Sequence, residues 1–366
     1  MNIERIGVLG FSTHENERRY PIHKDHLVYF DKNELSRLYF EKDYPNFNAK
    51  DQKLNFLTRS ELFKSCDLII IPKPTTRDYH LFSKNQVLWG WMHAVQGIEI
   101  TQKAIDSQLT LLAWESMYRW NKLQRGEHIF ARNNELAGYA SVIHALSING
   151  ITSGSYGQSK RIAVIGYGST GKGAVNALLG LGCSDLTVYS RRNRFEIQDA
   201  INNVKYETYS IIDGNASIGI HKPIDILKDY DIIVNCILQD PNRPITFIYN
   251  NEINELKEDT IIIDVSCDRE MGFEFSSPTT FENPQFRIGK AIYYSVDHTP
   301  SFFWNSASYE ISGALLPYLK YVLKNNSILG CSTLENAIEI ENGVIKNRSI
   351  IDFQKRVVEY PHAQLK

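Results

Sequence analysis

The run from Arg161 to Arg192, RIAVIGYGSTGKGAVNALLGLGCSDLTVYSRR, constrains the fold more than any other part of the chain. Ile162 to Ile165 is a short branched apolar run, the pattern of a strand buried on both faces of a parallel sheet. Gly166, Gly168 and Gly171 follow in the spacing G-x-G-x-x-G, then a helical run from Lys172 to Gly180 and a second strand from Leu186 to Tyr189. The first glycine allows a tight turn, the second lets a pyrophosphate approach the backbone, and the third lets helix and strand pack closely. Phosphates then meet the N–H groups and positive dipole end of the new helix, where Ser169 and Thr170 stand. The spacing alone is a weak signal. Strand, turn, helix and second strand in register make Gly166, Gly168, Ser169, Thr170 and Gly171 a candidate dinucleotide site.

The end of the second strand bears on which dinucleotide. A site selective for NAD places Asp or Glu there to bind the ribose 2′-hydroxyl. This chain has Ser190, Arg191 and Arg192, with Arg194 just beyond; no acid stands at that point, and Asp185 precedes the strand. A hydroxyl and guanidinium groups suit a 2′-phosphate through charge-assisted hydrogen bonds. The bland alternative is a solvated basic turn. Beside a glycine motif the turn favours NADP(H).

A length of 366 residues exceeds one ordinary core and suggests two domains. A net charge of −2 gives no general attraction to nucleic acid or to an anionic membrane surface. No apolar run reaches the ~18 residues that would span a bilayer. The start, MNIERIGVLG, carries charge and passes straight into a strand, unlike a secretory leader. Five scattered cysteines offer neither a disulfide framework nor the spacing of a metal site. A reduced, cytoplasmic enzyme is expected, with no metal.

The first ~130 residues alternate strand and helix, as an open α/β sheet does. Ile6 to Leu9 is a strand, and its polar loop carries Glu17, Arg18, Arg19, Tyr20 and Pro21 ahead of a helix at His23 to Phe30. Arg37 to Glu41 is a strand, followed by a tyrosine- and asparagine-rich insert around Tyr44 to Asn55 with no assigned role. Asp67 to Ile71 is a strand ending in Pro72, Lys73 and Pro74, and two prolines stiffen the backbone around that lysine. Gln86 to Met92 leads to His93. Each of Arg19, Lys73 and His93 has an ordinary structural explanation taken singly. Together they place a carboxylate grip, a rigid cation and a titratable group at one sheet edge.

Asn133 to Ile148 reads as a helix leading into the cofactor domain, with His144 structural. Asn193 to Lys222 is poorly patterned and reads as loops with a short helix. Asp231 to Ile237, Thr260 to Val265 and Ile292 to Val296 are further strands. Asp264 reads as a structural acid, whereas Asp268 sits just past a strand's carboxyl end, where an open sheet binds its ligand. A long helix, SFFWNSASYEISGALLPYL, returns to the first domain. The tail carries a turn at Glu341, Asn342 and Gly343 and a weak helix at Asp352 to Val358.

NERRYPI, PKP, MHA, GYGSTGKG and DVSCD, in that order, resemble the alanine dehydrogenase and transhydrogenase superfamily, which also holds saccharopine dehydrogenases. The resemblance runs from Ile6 to about Leu319. It implies two Rossmann-like open-sheet α/β domains separated by a cleft: a substrate domain from residues 1–134 and 298–366, and an NADP(H)-binding domain from 135–297. Within the superfamily, SCDREMGFEFSSPTTF and YYSVDHTPSFFWNSASYEISGALLPYL look like the N5-(carboxyethyl)ornithine synthase family. That family condenses pyruvate with the side-chain amine of ornithine or lysine and reduces the imine with NADPH. By resemblance, Arg19 binds the keto-acid carboxylate and Lys73 holds its carboxylate or carbonyl oxygen. His93 is the acid/base, and Asp268 orients nicotinamide and substrate or shares the proton transfers. A homo-oligomer acting on small molecules is implied. The alternatives are an alanine dehydrogenase using ammonia, a saccharopine-type enzyme with a larger keto acid, and a catalytically silent NADP(H)-binding sensor.

Overall fold

The computed structural model describes residues 2–47, 54–121, 123–152, 154–212, 214–240 and 243–365. Positions 48–53 of the tyrosine- and asparagine-rich insert lie outside them. The chain divides into two units, Met1–Ala131 with Trp304–Lys366, and Arg132–Phe303. Both are α/β, each built on an open, mostly parallel sheet.

In the first unit, strands β1 (Ile6–Val8), β2 (Leu38–Glu41), β3 (Asn55–Leu57), β4 (Leu68–Ile70), β5 (Val87–Gly90) and β6 (Thr110–Ala113) pair in parallel in the order β6-β5-β4-β1-β2-β3. Helices α1 (Lys32–Ser36), α2 (Arg59–Ser65) and α3 (Ile98–Asp106) connect them. The apolar runs are continuous because both faces are covered. Ile6, Val8, Leu68 and Ile70 enter one core cluster, while Ile69, Ile71 and Leu88 enter the other. Helix α2 starts at a reciprocal cap in which Glu61 accepts the Thr58 N–H at 2.8 Å. The segment expected as a helix at His23 to Phe30 is a 3-10 helix over Lys24–Tyr29. A hairpin, β7 (Tyr118–Asn121) and β8 (Gln124–His128), was not signalled, since its strands are polar and largely exposed.

Helix α4 (Ala131–Ile148) leads into the second unit. There β9 (Arg161–Ile165), α5 (Ser169–Gly180) and β10 (Asp185–Ser190) form the glycine-motif βαβ. Downstream come β11 (Lys205–Thr208), a small hairpin of β12 (Ser210–Ile212) and β13 (Asn215–Ser217), α6 (Pro223–Leu227) and β14 (Ile232–Asn235). The unit ends with β15 (Thr246–Ile248), β16 (Thr260–Asp264), β17 (Gly272–Phe273), β18 (Gln285–Ile288) and β19 (Ala291–Tyr294). The sheet order is β11-β10-β9-β14-β16-β19-β18, with only β18 antiparallel. The order reverses between β9 and β14, the switch point where open α/β sheets bind ligands. The short helix expected in 193–222 is a 3-10 turn at Arg194–Glu196, but the rest is not only loop, since it holds the β12–β13 hairpin and strand β11. Strand β11 is an edge strand, KYET, with two of its four side chains charged and no apolar run.

The chain then returns to the first unit. Helices α7 (Trp304–Asn325) and α8 (Ser332–Glu335) precede β20 (Ile338–Glu341), β21 (Val344–Ile345) and α9 (Arg348–Gln354). β20 pairs antiparallel with β6, and β21 folds back on β20 through Asn342 and Gly343, both at positive φ. The sequence offered the turn but not its strands, which are only four and two residues long. The weak helix lies at Arg348–Gln354, ahead of the expected Asp352 to Val358, and stops at Lys355 in the left-handed region. Among the described residues no helix is long and apolar enough to cross a membrane.

Candidate active site

In the first unit the three candidate substrate residues follow three adjacent parallel strands, β1, β4 and β5, all at their carboxyl ends. The strand ends meet at close quarters. A Cβ on Gly90 would lie 1.7 Å from the Ile71 carbonyl oxygen, and the Trp91 N–H donates to the Pro72 carbonyl at 3.1 Å. The loop after β1 is tied to the same edge, since the Ser12 hydroxyl donates to the Lys73 carbonyl at 2.6 Å. Arg19 is buried, with its guanidinium 4.2 Å from the Trp91 ring centroid and its Nε donating to Glu17 at 2.8 Å. Trp91 is two residues before His93. Arg19, Lys73 and His93 are therefore brought to one edge of one sheet. His93 is exposed and left-handed, with φ +49°. A non-glycine residue in that region needs its surroundings to hold it.

Glu115, which the sequence reading missed, does part of that holding. It stands in the 3-10 turn after β6, the neighbour of β5, and its carboxylate accepts the backbone N–H groups of Met92 at 3.3 Å and of His93. Burial, with Glu339 of β20 as its neighbour, pushes the Glu115 carboxyl up to about 8. Glu339 accepts from the Ser116 hydroxyl at 2.9 Å and the Asn347 amide at 3.2 Å, while its Oε2 is buried with no hydrogen-bond partner. The available signal was an acid inside a strongly apolar stretch, LLAWESM.

The glycine motif sits at the carboxyl end of β9. Gly166 has φ +95°, which favours glycine, and Gly171 lies so close to the strand that an added Cβ would be 2.1 Å from the Gly166 carbonyl oxygen. Gly168 is the N-cap of α5; a Cβ there would meet nothing within 4 Å, and no side chain caps the helix. Open space above uncapped N–H groups is what a pyrophosphate requires. Ser169 and Thr170 form the first turn of that helix.

At the end of the adjacent β10, the buried Ser190 hydroxyl accepts the Arg192 N–H at 3.1 Å. The Arg192 Nη2 donates to the Tyr167 carbonyl inside the glycine loop at 2.6 Å, while the side chain of Arg191 is exposed. Arg194 lies over the Tyr206 ring at 5.4 Å, and Lys172 on α5 pairs with Asp199, holding that carboxyl below its ordinary range. Cations therefore border the loop on its β10 side, with no acid at the strand's end. The residues present fit a nicotinamide dinucleotide.

Asp264, at the end of β16, is fully buried. It accepts from the Asn235 amide at 3.0 Å, the Ser276 hydroxyl at 3.0 Å and the Tyr293 hydroxyl at 2.7 Å. Burial raises its carboxyl to about 6 against those hydrogen bonds. This network pins the strand end from which Ser266, Cys267 and Asp268 leave, Cys267 with φ +58°. Asp268 is half-buried, four residues past the end of β16, a strand separated from β9 by β14 alone. His144 is structural in form: its Nδ1 pairs with the Tyr294 hydroxyl at 3.0 Å, and its ring packs on Phe302 at 4.1 Å.

Residues 140–348 match the family described as alanine dehydrogenase/PNT, C-terminal domain. The chain belongs to the alanine dehydrogenase/PNT family. It is 26% identical over 325 residues to the N(5)-(carboxyethyl)ornithine synthase of Clostridium botulinum, covering 84% of this chain and 92% of that one. It is 22% identical over 371 residues to an alanine dehydrogenase of Staphylococcus epidermidis, covering 96% and 93%. Its fold is that of an L-alanine dehydrogenase structure, with a TM-score of 0.77 over 95% of this chain and 98% of the other at 16% identity. These relatives are oxidoreductases acting on small molecules, and members of the alanine dehydrogenase family bind a nicotinamide cofactor.

Proposed function

We propose that the protein catalyses the NADPH-dependent reductive condensation of pyruvate, or a similar α-keto acid, with the side-chain amine of ornithine or lysine. The observation that carries the reading is the set Arg19, Lys73 and His93 at the carboxyl ends of three adjacent strands. It is supported by the named activity of the 26% identical relative and by the cationic, acid-free end of β10.

In this reading Arg19, oriented by Glu17 and Trp91, presents its outer guanidinium edge to the keto-acid carboxylate. Lys73, stiffened by Pro72 and Pro74, sets its ammonium on the substrate oxygen. The amine nitrogen attacks the carbonyl carbon, and His93 takes the proton that nitrogen releases. His93 returns it to the alkoxide, giving the neutral carbinolamine; the second nitrogen proton then passes through His93 to the carbinolamine hydroxyl, which leaves as water and gives the imine. NADPH, when bound, supplies the hydride that reduces the imine. Gly166, Gly168, Ser169, Thr170 and Gly171 receive the pyrophosphate, Ser190, Arg191 and Arg192 the 2′-phosphate, and Asp268 orients the nicotinamide.

The test is NADPH oxidation with pyruvate and, in turn, ornithine, lysine and ammonia, with the product weighed by mass spectrometry. Dependence on ornithine or lysine with an N-carboxyethyl product is expected. Activity with ammonia alone would make the enzyme an alanine dehydrogenase of unusual cofactor preference. Binding of NADPH without turnover on any pair would favour the silent sensor.

A further inference from the structure

The loop that carries His93 is held on its far side by the carboxyl-terminal segment. Ala94 is fully buried, and its carbonyl accepts two side-chain donors, the Thr101 hydroxyl at 2.9 Å and the Gln354 amide at 2.7 Å. The same Gln354 Nε2 reaches the Val95 carbonyl at 3.2 Å and the Thr101 hydroxyl oxygen at 3.2 Å. Gln354 is the last residue of α9, is 3% exposed, and lies 260 residues from the loop it holds.

Its amide has one allowed orientation. Gln354 Oε1 accepts from the Arg356 Nε at 2.7 Å, and a guanidinium can only donate, so the NH2 must face Ala94. Arg356 is itself buried and anchored by the Gln102 side chain at 2.9 Å and the His362 carbonyl at 3.1 Å. Arg356 thus fixes Gln354, and Gln354 fixes the carbonyls of the two residues that follow His93. From the other side, Glu115 takes the N–H groups of Met92 and His93. Between these clamps the His93 carbonyl closes a turn with the Gly97 N–H at 2.8 Å, and φ at His93 stays at +49°.

We propose that Gln354, oriented by Arg356, is a positioning residue for His93, so that the carboxyl-terminal tail is part of the catalytic apparatus and not only of the sheet it extends. The inference rests on the reading of His93 as the acid/base. A left-handed residue with a donor clamp on one side and an acceptor clamp on the other has little freedom. Removing the donor clamp lets the buried Ala94 carbonyl and the half-buried Val95 carbonyl seek other partners and turns the imidazole with them.

The test uses the full chain with Gln354→Met, which keeps volume and removes both the donor to the Ala94 carbonyl and the acceptor of the Arg356 Nε. The expected result is a fall in kcat of about tenfold or more with KM for NADPH nearly unchanged, and a displaced His limb in the pH profile of kcat/KM. Faster amide exchange across residues 92–97 is expected alongside. Should Gln354→Met not fold, Thr101→Val removes the second donor on the Ala94 carbonyl and should give a smaller change in the same direction. Loss of melting temperature with kcat and the pH profile of the wild type would overturn the proposal. His93→Ala separates the two levels of the argument. If it abolishes turnover while Gln354→Met behaves as wild type, only the positioning role fails; if it turns over like wild type, the reading of His93 fails and this inference with it.

Discussion

At the scale of single residues, the two basic side chains after β10 do different work. Arg191 is exposed, whereas Arg192 reaches back to the Tyr167 carbonyl and so also braces the glycine loop. Arg191→Ala should therefore be the cleaner probe of 2′-phosphate recognition. Charge-assisted hydrogen bonds are worth about 1.5–3 kcal/mol, so NADPH affinity should fall roughly tenfold to a hundredfold, with NADH affinity little changed. Arg192→Ala should weaken both, NADPH more, because the loop loses a brace as well as a cation. Titration of both dinucleotides against both variants checks this, and an unaltered preference in Arg191→Ala would remove that residue from the site. His93 makes the complementary case. If it moves the protons, His93→Ala should lower turnover by about 10²–10⁴-fold while NADPH still binds, since the dinucleotide residues belong to the other unit. Stopped-flow turnover beside a fluorescence titration separates those two quantities.

At the scale of elements, the glycine motif offers a contrast within one turn. A methyl on Gly171 would strike the Gly166 carbonyl at 2.1 Å, whereas one on Gly168 would meet no protein atom within 4 Å. Gly171→Ala should therefore destabilise the second unit and lower its melting temperature. Gly168→Ala should leave melting almost untouched and weaken NADPH, because its added carbon occupies the space a pyrophosphate needs. Equal effects of both variants on stability would count against that division of labour. The same element shows why some of the fold was legible. Ile162 to Ile165 and Thr260 to Val265 are buried on both faces, so their apolar runs announce strands. β11, β7 and β8 are exposed edges or arms whose register is set by neighbours, and polar strands leave little trace in a sequence. β20 and β21 were missed for a related reason: Asn342-Gly343 marks the turn, but pairing with β6 is a contact across more than two hundred residues. Glu115 and Gln354 escaped notice likewise. Their partners are backbone groups of a distant loop, which no local spacing encodes.

At the scale of the whole molecule, each unit carries a buried acid whose proton is held in the folded state. Asp264 is raised to about 6 and Glu115 to about 8, in both cases chiefly by burial. A carboxyl of raised folded pKa keeps a proton that the unfolded chain releases at lower pH. Stability from this source is complete below the unfolded carboxylate range and is lost as pH rises through the folded value. A shift of one pKa unit corresponds to about 1.36 kcal/mol, so the linked loss is on the order of a few kcal/mol. The exposed ion pair with Lys172 that lowers Asp199 acts in the opposite sense, but solvent screening leaves it small. Melting temperature should thus decline from about pH 4 to about pH 8, the second unit losing its share by about pH 6. Asp264→Asn should flatten the lower part of that decline. Glu115→Gln should flatten the upper part. Glu115 takes the Met92 N–H on Oε2 and the His93 N–H on Oε1, so the single amide oxygen of a glutamine keeps only one of them and its NH2 faces the other, a lost acceptor that lowers stability at every pH without restoring the slope. Scanning calorimetry across that range decides the matter: curves for both variants that run parallel to the wild type would mean that neither carboxyl holds its proton through the fold.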